Sequence, residues 1–177
     1  MMKYMISLLL LAGSLNAQMI YNFHNEADVS DWRVVDDVVM GGRSDGSFSL
    51  NDDGFGVFKG YVSLENNGGF SSIRYPLETM STKGRSEIIL KVKGDGKRYQ
   101  FRVKDKQSTY YSYIHYFETS GDWEEITIPL KEMNPSFRGR KLNFPNFNED
   151  SIEEISILIA NYKAESFELL IDEISLK

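Results

Sequence analysis

Arg98-Tyr99-Gln100-Phe101-Arg102-Val103-Lys104 sets Tyr99, Phe101 and Val103 at every second position, with Arg98, Gln100, Arg102 and Lys104 between them. Successive side chains of a strand point to opposite faces, so the stretch has one apolar face and one polar face. The same alternation appears on both sides of it. Ile88, Leu90 and Val92 share a face against Lys91 and Lys93, and Phe167, Leu169 and Ile171 alternate with Glu168, Leu170 and Asp172. Turn chemistry separates such runs: Ser44-Asp45-Gly46, Asp52-Asp53-Gly54, Gly94-Asp95-Gly96 and Gly121-Asp122. The pattern predicts strands near 19–23, 32–35, 46–51, 55–64, 70–76, 86–93, 98–104, 109–118, 123–128, 154–160 and 166–176. So many half-buried strands in one domain imply an all-β fold, a two-sheet antiparallel β-sandwich or jelly roll. The stretch 132–150, with Pro135, Pro145 and several Asn, reads as the longest loop, with a helical turn near its end.

Composition narrows the function. The chain has 177 residues, 20 basic and 26 acidic, for a net charge of −6, which argues against nucleic acid as a partner. It has no Cys, so disulfides, thiol catalysis and cysteine-ligated metal are excluded. Met1-Met2-Lys3, the apolar run 5–12 and a small residue at Ala17 read as a signal peptide over 1–17, with a single domain over 18–177. The run is shorter than the roughly 20 apolar residues a spanning helix needs. An uncleaved N-terminal anchor is the alternative. The expectation is export to a bacterial periplasm or the extracellular space, with no transmembrane segment in the mature chain.

Two segments are unlike ordinary hairpins. Trp32 to Gly46 reads W-x3-D-D-x-V-M-G-G-x-S-x-G. Phe58 to Arg74 reads F-x-G-x-V-S-L-E-N-N-G-G-F-S-S-I-R. Paired glycines permit positive φ and close approach of another backbone or a ligand. In this order and spacing, the two motifs resemble the complex I intermediate-associated protein 30 family. Gly94 to Tyr99, Trp123 to Pro129, Phe137 to Arg140, Ile157 to Asn161 and Phe167 to Asp172 continue the likeness over nearly all of the mature chain. Ser156 and Asn161 depart from the family's usual Gly and Asp. The resemblance implies a galactose-binding-like jelly roll and a chaperone-like or assembly role without enzymatic activity. The resemblance implies for the mitochondrial members an assembly role for respiratory complex I, whose peripheral arm faces the cytoplasm in bacteria, out of reach of an exported protein.

The candidate partner-binding residues are Trp32, Asp37, Met40, Gly41, Gly42 and Ser44 in the first motif, and Asn66, Asn67, Gly68, Gly69, Phe70 and Arg74 in the second. Arg98 and Arg102, which share a strand face with Gln100, join them. A guanidinium offers a planar fork of donors to a carboxylate, phosphate or diol. The two segments are expected to adjoin at one edge of the sandwich, with the arginines beside them. Neighbouring strand residues Asp36 and Asp37 point apart, so they do not suit a shared proton; one of them is expected to hold the Met-Gly-Gly loop through backbone N–H groups. Trp32 and Trp123 each also suit a core. His24 and His115 belong to no catalytic or zinc motif, so no catalytic residue, metal or cofactor is expected. The partner is a protein or a polar small ligand such as a sugar. A carbohydrate-binding module is the alternative to an assembly factor, and a hydrolase without a recognisable nucleophile is the third reading.

Overall fold

The computed structural model describes residues 17–177, so the signal-peptide reading lies, but for Ala17, outside the described residues. The strands are β1 (Gln18–Asn22), β2 (Arg33–Asp36), β3 (Asp45–Leu50), β4 (Gly56–Val62), β5 (Ser71–Ser81), β6 (Glu87–Lys93) and β7 (Arg98–Lys104). They continue as β8 (Ser112–Glu118), β9 (Trp123–Pro129), β10 (Asn134–Phe137), β11 (Arg140–Lys141), β12 (Ser151–Ile159) and β13 (Glu165–Leu176). One sheet has six strands in the order β3-β4-β13-β6-β9, with β1 also pairing to β13. The other has seven, β11-β10-β8-β7-β12-β5-β2. All the pairings are antiparallel. This is the jelly-roll sandwich that the alternation predicts.

The two inner faces make the core. Ile88, Leu90, Val92, Phe167, Leu169 and Ile171 come from one sheet, and Tyr99, Phe101, Val103, Ile73, Ile155, Ile157 and Ile159 from the other; all are buried. Each fully buried aliphatic side chain contributes roughly 1.5–3 kcal/mol, which fixes the register, because a one-residue slip exposes the whole set. The long strand β13 lies between β4 and β6. Its register with β6 shifts between Ile171 and Glu173, a bulge at Asp172, and on its other edge β1 takes the place of β4 from Glu173 onward.

Against the sequence reading, β5 runs on to Ser81 and β8 begins only at Ser112; the larger differences lie in two places. Stretch 132–150 contains the hairpin β10–β11, joined by Arg138 and Gly139, both at positive φ (49° and 75°). Pro135 within β10 masked it, since Pro is found only at sheet margins or bulges, as here. No helical turn occurs near the end of that stretch; a short 3-10 turn, Leu130–Glu132, lies instead at its beginning. Trp123 is not in the core. It is 39% exposed and lies against Phe55 with ring centroids 4.6 Å apart.

Candidate functional site

The two motif segments do adjoin, and the reason is one buried carboxylate. β2 ends at Asp36, and a 3-10 turn, Asp37–Met40, follows, closed by Gly41 at φ +90°. Asp36 Oδ2 accepts the Gly46 N–H at 2.9 Å, tying the edge of one sheet to β3 of the other. Asp37 is fully buried. Its Oδ1 accepts the Ser44 N–H (2.9 Å); its Oδ2 accepts the Ser44 hydroxyl and the N–H groups of Gly69 (2.6 Å) and Phe70 (3.2 Å). Burial alone pushes its pKa up, but the bonds from Ser44, Gly69 and Phe70 outweigh that and hold it below the ordinary carboxylate value. The loop-holding aspartate is therefore Asp37, and Asp36 does the same for β3.

This clasp accounts for much of the motif. A Cβ at Gly42 or Gly68 runs into the Asp37 carboxylate. Asn66 and Asn67 sit at φ 55° and 60°, a region Asn tolerates better than most residues. Ser44 also receives the Ser63 N–H at 3.0 Å, so the two loops are stitched from both sides. Met40 and its neighbours Val38 and Val39 stand exposed at the tip. Trp32 is buried among Phe23, Phe48, Tyr21 and Tyr75, stacked on Tyr75 at 4.9 Å.

The arginines lie elsewhere, on the outer face of the seven-stranded sheet. The register aligns Arg33 (β2), Arg74 (β5), Ser156 (β12), Arg102 (β7) and Ile114 (β8) in one row across the strands. The next row holds Val35, Ser72, Leu158, Gln100 and Tyr116. Although this face points away from the core, Ser72, Gln100, Ile114, Ser156 and Leu158 are buried beneath the longer side chains. Arg74 and Arg102 flank the small Ser156, about 10 Å apart at the Cα level, two strand spacings.

None of Arg33, Arg74, Arg98 or Arg102 forms an ion pair with a carboxylate of the described residues. Arg102 donates from Nε (3.1 Å) and Nη2 to the same Gln100 Oε1. Burial, then the neighbouring Arg74 charge, push its pKa down to about 10. It stays cationic at neutral pH, at a cost that no anion of the protein offsets. Arg98 lies over the Tyr116 ring, 4.8 Å from its centroid, and its carbonyl accepts Nδ2–H of Asn161.

The fold thus divides the candidates. Asp37, Gly42, Ser44, Gly68, Gly69 and Phe70 are joined with one another in the clasp, flanked by Met40, Gly41, Asn66 and Asn67. Arg74, Arg98 and Arg102 share the sheet face with Arg33, Ser156 and Tyr116. Arg33 and Ser156 escape sequence reading because only strand pairing puts them in the row. No group of three His, Asp or Glu able to hold a metal occurs among the described residues, and none of their helices is long and apolar enough to cross a membrane.

The family profile described as complex I intermediate-associated protein 30 matches residues 21–171. An uncharacterised protein of Schizosaccharomyces pombe is 28% identical over 86% of this chain and 78% of its own length. Among solved structures, a family 11 carbohydrate-binding module from Clostridium thermocellum, in complex with a β-1,3-1,4-mixed-linked tetrasaccharide, superposes with a TM-score of 0.68. It is 16% identical over 90% of this chain and 94% of the module. An agarase superposes at 0.63 with 12% identity, over 91% of this chain and 24% of the agarase. These structural likenesses concern the fold.

Proposed function

The chain belongs to the complex I intermediate-associated protein 30 family, and we propose that it is an exported, non-catalytic binding protein of the chaperone or assembly-factor kind. Its partner is a protein that lays acidic side chains over Arg74 and Arg102. The observation carrying this reading is the unpaired arginine row on a face whose floor is already buried. An incoming carboxylate supplies the anion that Arg74 and Arg102 lack, and receives paired N–H donors in return. The face runs from Arg33 on β2 to Tyr116 on β8, four strand spacings or about 19 Å. That is the footprint of an extended chain rather than of a small metabolite. The chain's net charge of −6 makes this a local cationic strip on an acidic protein, so that binding should weaken as salt rises.

A carbohydrate chain is the second reading, favoured by the fold shared with carbohydrate-binding modules and by the Tyr116 ring on the same face. Its carboxylate-bearing form, a uronate oligomer, offers the arginines the same chemistry. Two probes separate the sources: a Glu-rich extended peptide and an oligogalacturonate, each titrated into the protein and its Arg74→Gln/Arg102→Gln variant. Peptide binding lost in the variant, together with its loss of crosslinked envelope proteins, supports the assembly reading. Binding of oligogalacturonate alone moves the protein to the carbohydrate class. If neither probe binds, or both bind the variant equally, the arginine face is not the site.

A further inference from the structure

At the start of β8, away from the arginine face, lies a concavity of about 520 Å³, lined by Tyr110, Tyr111, Tyr113, Phe144 and Pro145 and by Asn146, Asn148 and Glu149. Its wall is a loop without regular structure, yet one held at several points. The Phe147 side chain is buried against Tyr113, 5.1 Å between ring centroids, and its N–H donates to the Met133 carbonyl at 2.9 Å. Asn146 Nδ2–H donates to the Lys131 carbonyl at 2.9 Å. The Thr82 hydroxyl donates to the Glu149 carbonyl at 2.6 Å, and the Thr82 N–H to the Asp150 carbonyl at 3.0 Å. The shape is therefore preformed.

The rings are placed at a cost in water. Tyr110 is 59% exposed and Phe144 49%, and they gather with Tyr111 and Phe137 at centroid separations of 5.1–5.5 Å. Large rings clustered in solvent mark an interaction surface. Polar side chains line the same space. The Tyr113 hydroxyl donates to Glu149 Oε1 at 2.8 Å, which fixes the carboxylate. Tyr110, Asn146, Asn148 and Glu149 are exposed, so the Tyr110 hydroxyl, the Asn148 amide, Asn146 Oδ1 and Glu149 Oε2 are open to a ligand.

We propose that this concavity is a binding site for a neutral pyranoside, with Tyr110 and Phe144 packing on the sugar's C–H face and Asn146, Asn148 and Glu149 holding its hydroxyls. Rings set at 45–80° to one another, in a concavity that Glu149 also lines, would also suit a quaternary ammonium. The amides decide between the two. Asn both donates and accepts, as a hydroxyl does, whereas a quaternary ammonium has no hydrogen-bonding group and leaves them idle. The volume is within the usual range for small-ligand pockets. The site is independent of the arginine face, because no residue is shared.

The test is a titration by heteronuclear NMR and calorimetry with neutral oligosaccharides (cellotetraose, laminaritetraose, a mixed-linked tetrasaccharide and an agaro-oligosaccharide) and, separately, with tetramethylammonium. Tyr110→Ala and Asn148→Ala are the site variants. Their exposure leaves the melting temperature as a control on folding, and Arg74→Gln/Arg102→Gln is the control for the other face. The expected result is saturable binding of at least one oligosaccharide, weakened tenfold or more by each site variant and unchanged in the arginine variant. Binding of none of them, binding insensitive to Tyr110→Ala and Asn148→Ala, or a response to tetramethylammonium alone overturns the proposal. Loss of binding in the arginine variant only assigns the sugar to the sheet face and overturns it as well.

Discussion

Replacing Arg102 with Met keeps a long unbranched stem and removes the charge, so it isolates what that charge does to the folded state. The Arg102 guanidinium is pushed down to about 10 from its ordinary 12.5. At about 1.4 kcal/mol per pH unit, the folded cation carries a penalty of about 3 kcal/mol. The sign follows from linkage: a base whose folded pKa lies below its unfolded value destabilises the fold fully at all pH below about 10, and the penalty fades only above it. Against this gain stands Gln100, whose buried Oε1 loses both donors, at about 1–2 kcal/mol. Arg102→Met should therefore be stabilised by about 1–2 kcal/mol net, a rise in Tm of about 2–8 °C for a domain of this size. Arg74→Gln removes the second cause of the shift and should give a smaller rise, and the pair together should give less than the sum, because each relieves the other. Thermal unfolding followed by circular dichroism at pH 7 reads all three. A lower Tm for Arg102→Met, or strictly additive effects, refutes the claim that the Arg102 charge is uncompensated and opposed by Arg74.

The clasp makes the opposite prediction. Asp37→Asn keeps the shape and loses the charge that accepts four donors, so it should cost about 2–4 kcal/mol, measured by urea unfolding. Because the folded pKa of Asp37 is depressed, its stabilisation is complete above its ordinary value of 3.8 and is lost as pH falls below that. The wild type should lose stability more steeply than Asp37→Asn across that acid range; parallel acid profiles would contradict the assignment. Gly42→Ala drives a methyl group into the carboxylate and should lower the Tm by about 4 °C or more, whereas Gly96→Ala, with open space around it, carries only the strain of its φ of +77°.

The core was legible because alternation is a local property: Tyr99, Phe101 and Val103 announce their face without any partner strand. The clasp was half legible. Two adjacent aspartates before Met-Gly-Gly indicated a loop held by a carboxylate. That the same carboxylate reaches Gly69 and Phe70, more than 30 residues away, depends on β2 pairing with β5. The β10–β11 hairpin was hidden by Pro135 and by strands too short to show a period. The Tyr110–Phe144 concavity was illegible because its polar wall, 142–149, has neither periodicity nor motif and is shaped only by its anchors at Met133, Lys131 and Thr82.

Motif and site have therefore come apart in this protein, for a physical reason. A spacing can be recognised along a chain when one local structure enforces it, and the Asp37 clasp enforces glycines at 42 and 68 and a serine at 44 by contact alone. Binding chemistry on a sheet face is enforced across strands instead, so Arg33, Arg74 and Arg102 are 41 and 28 residues apart in sequence yet one row in space. The fold gains nothing from holding the Arg102 cation without an anion, and a neutral residue of equal length would stabilise it. A folded state that accepts this penalty beside a buried polar floor is preorganised for an anion arriving from outside. The stabilisation expected of Arg102→Met and the loss of partner expected of Arg74→Gln/Arg102→Gln are thus two readings of the same unpaired charge.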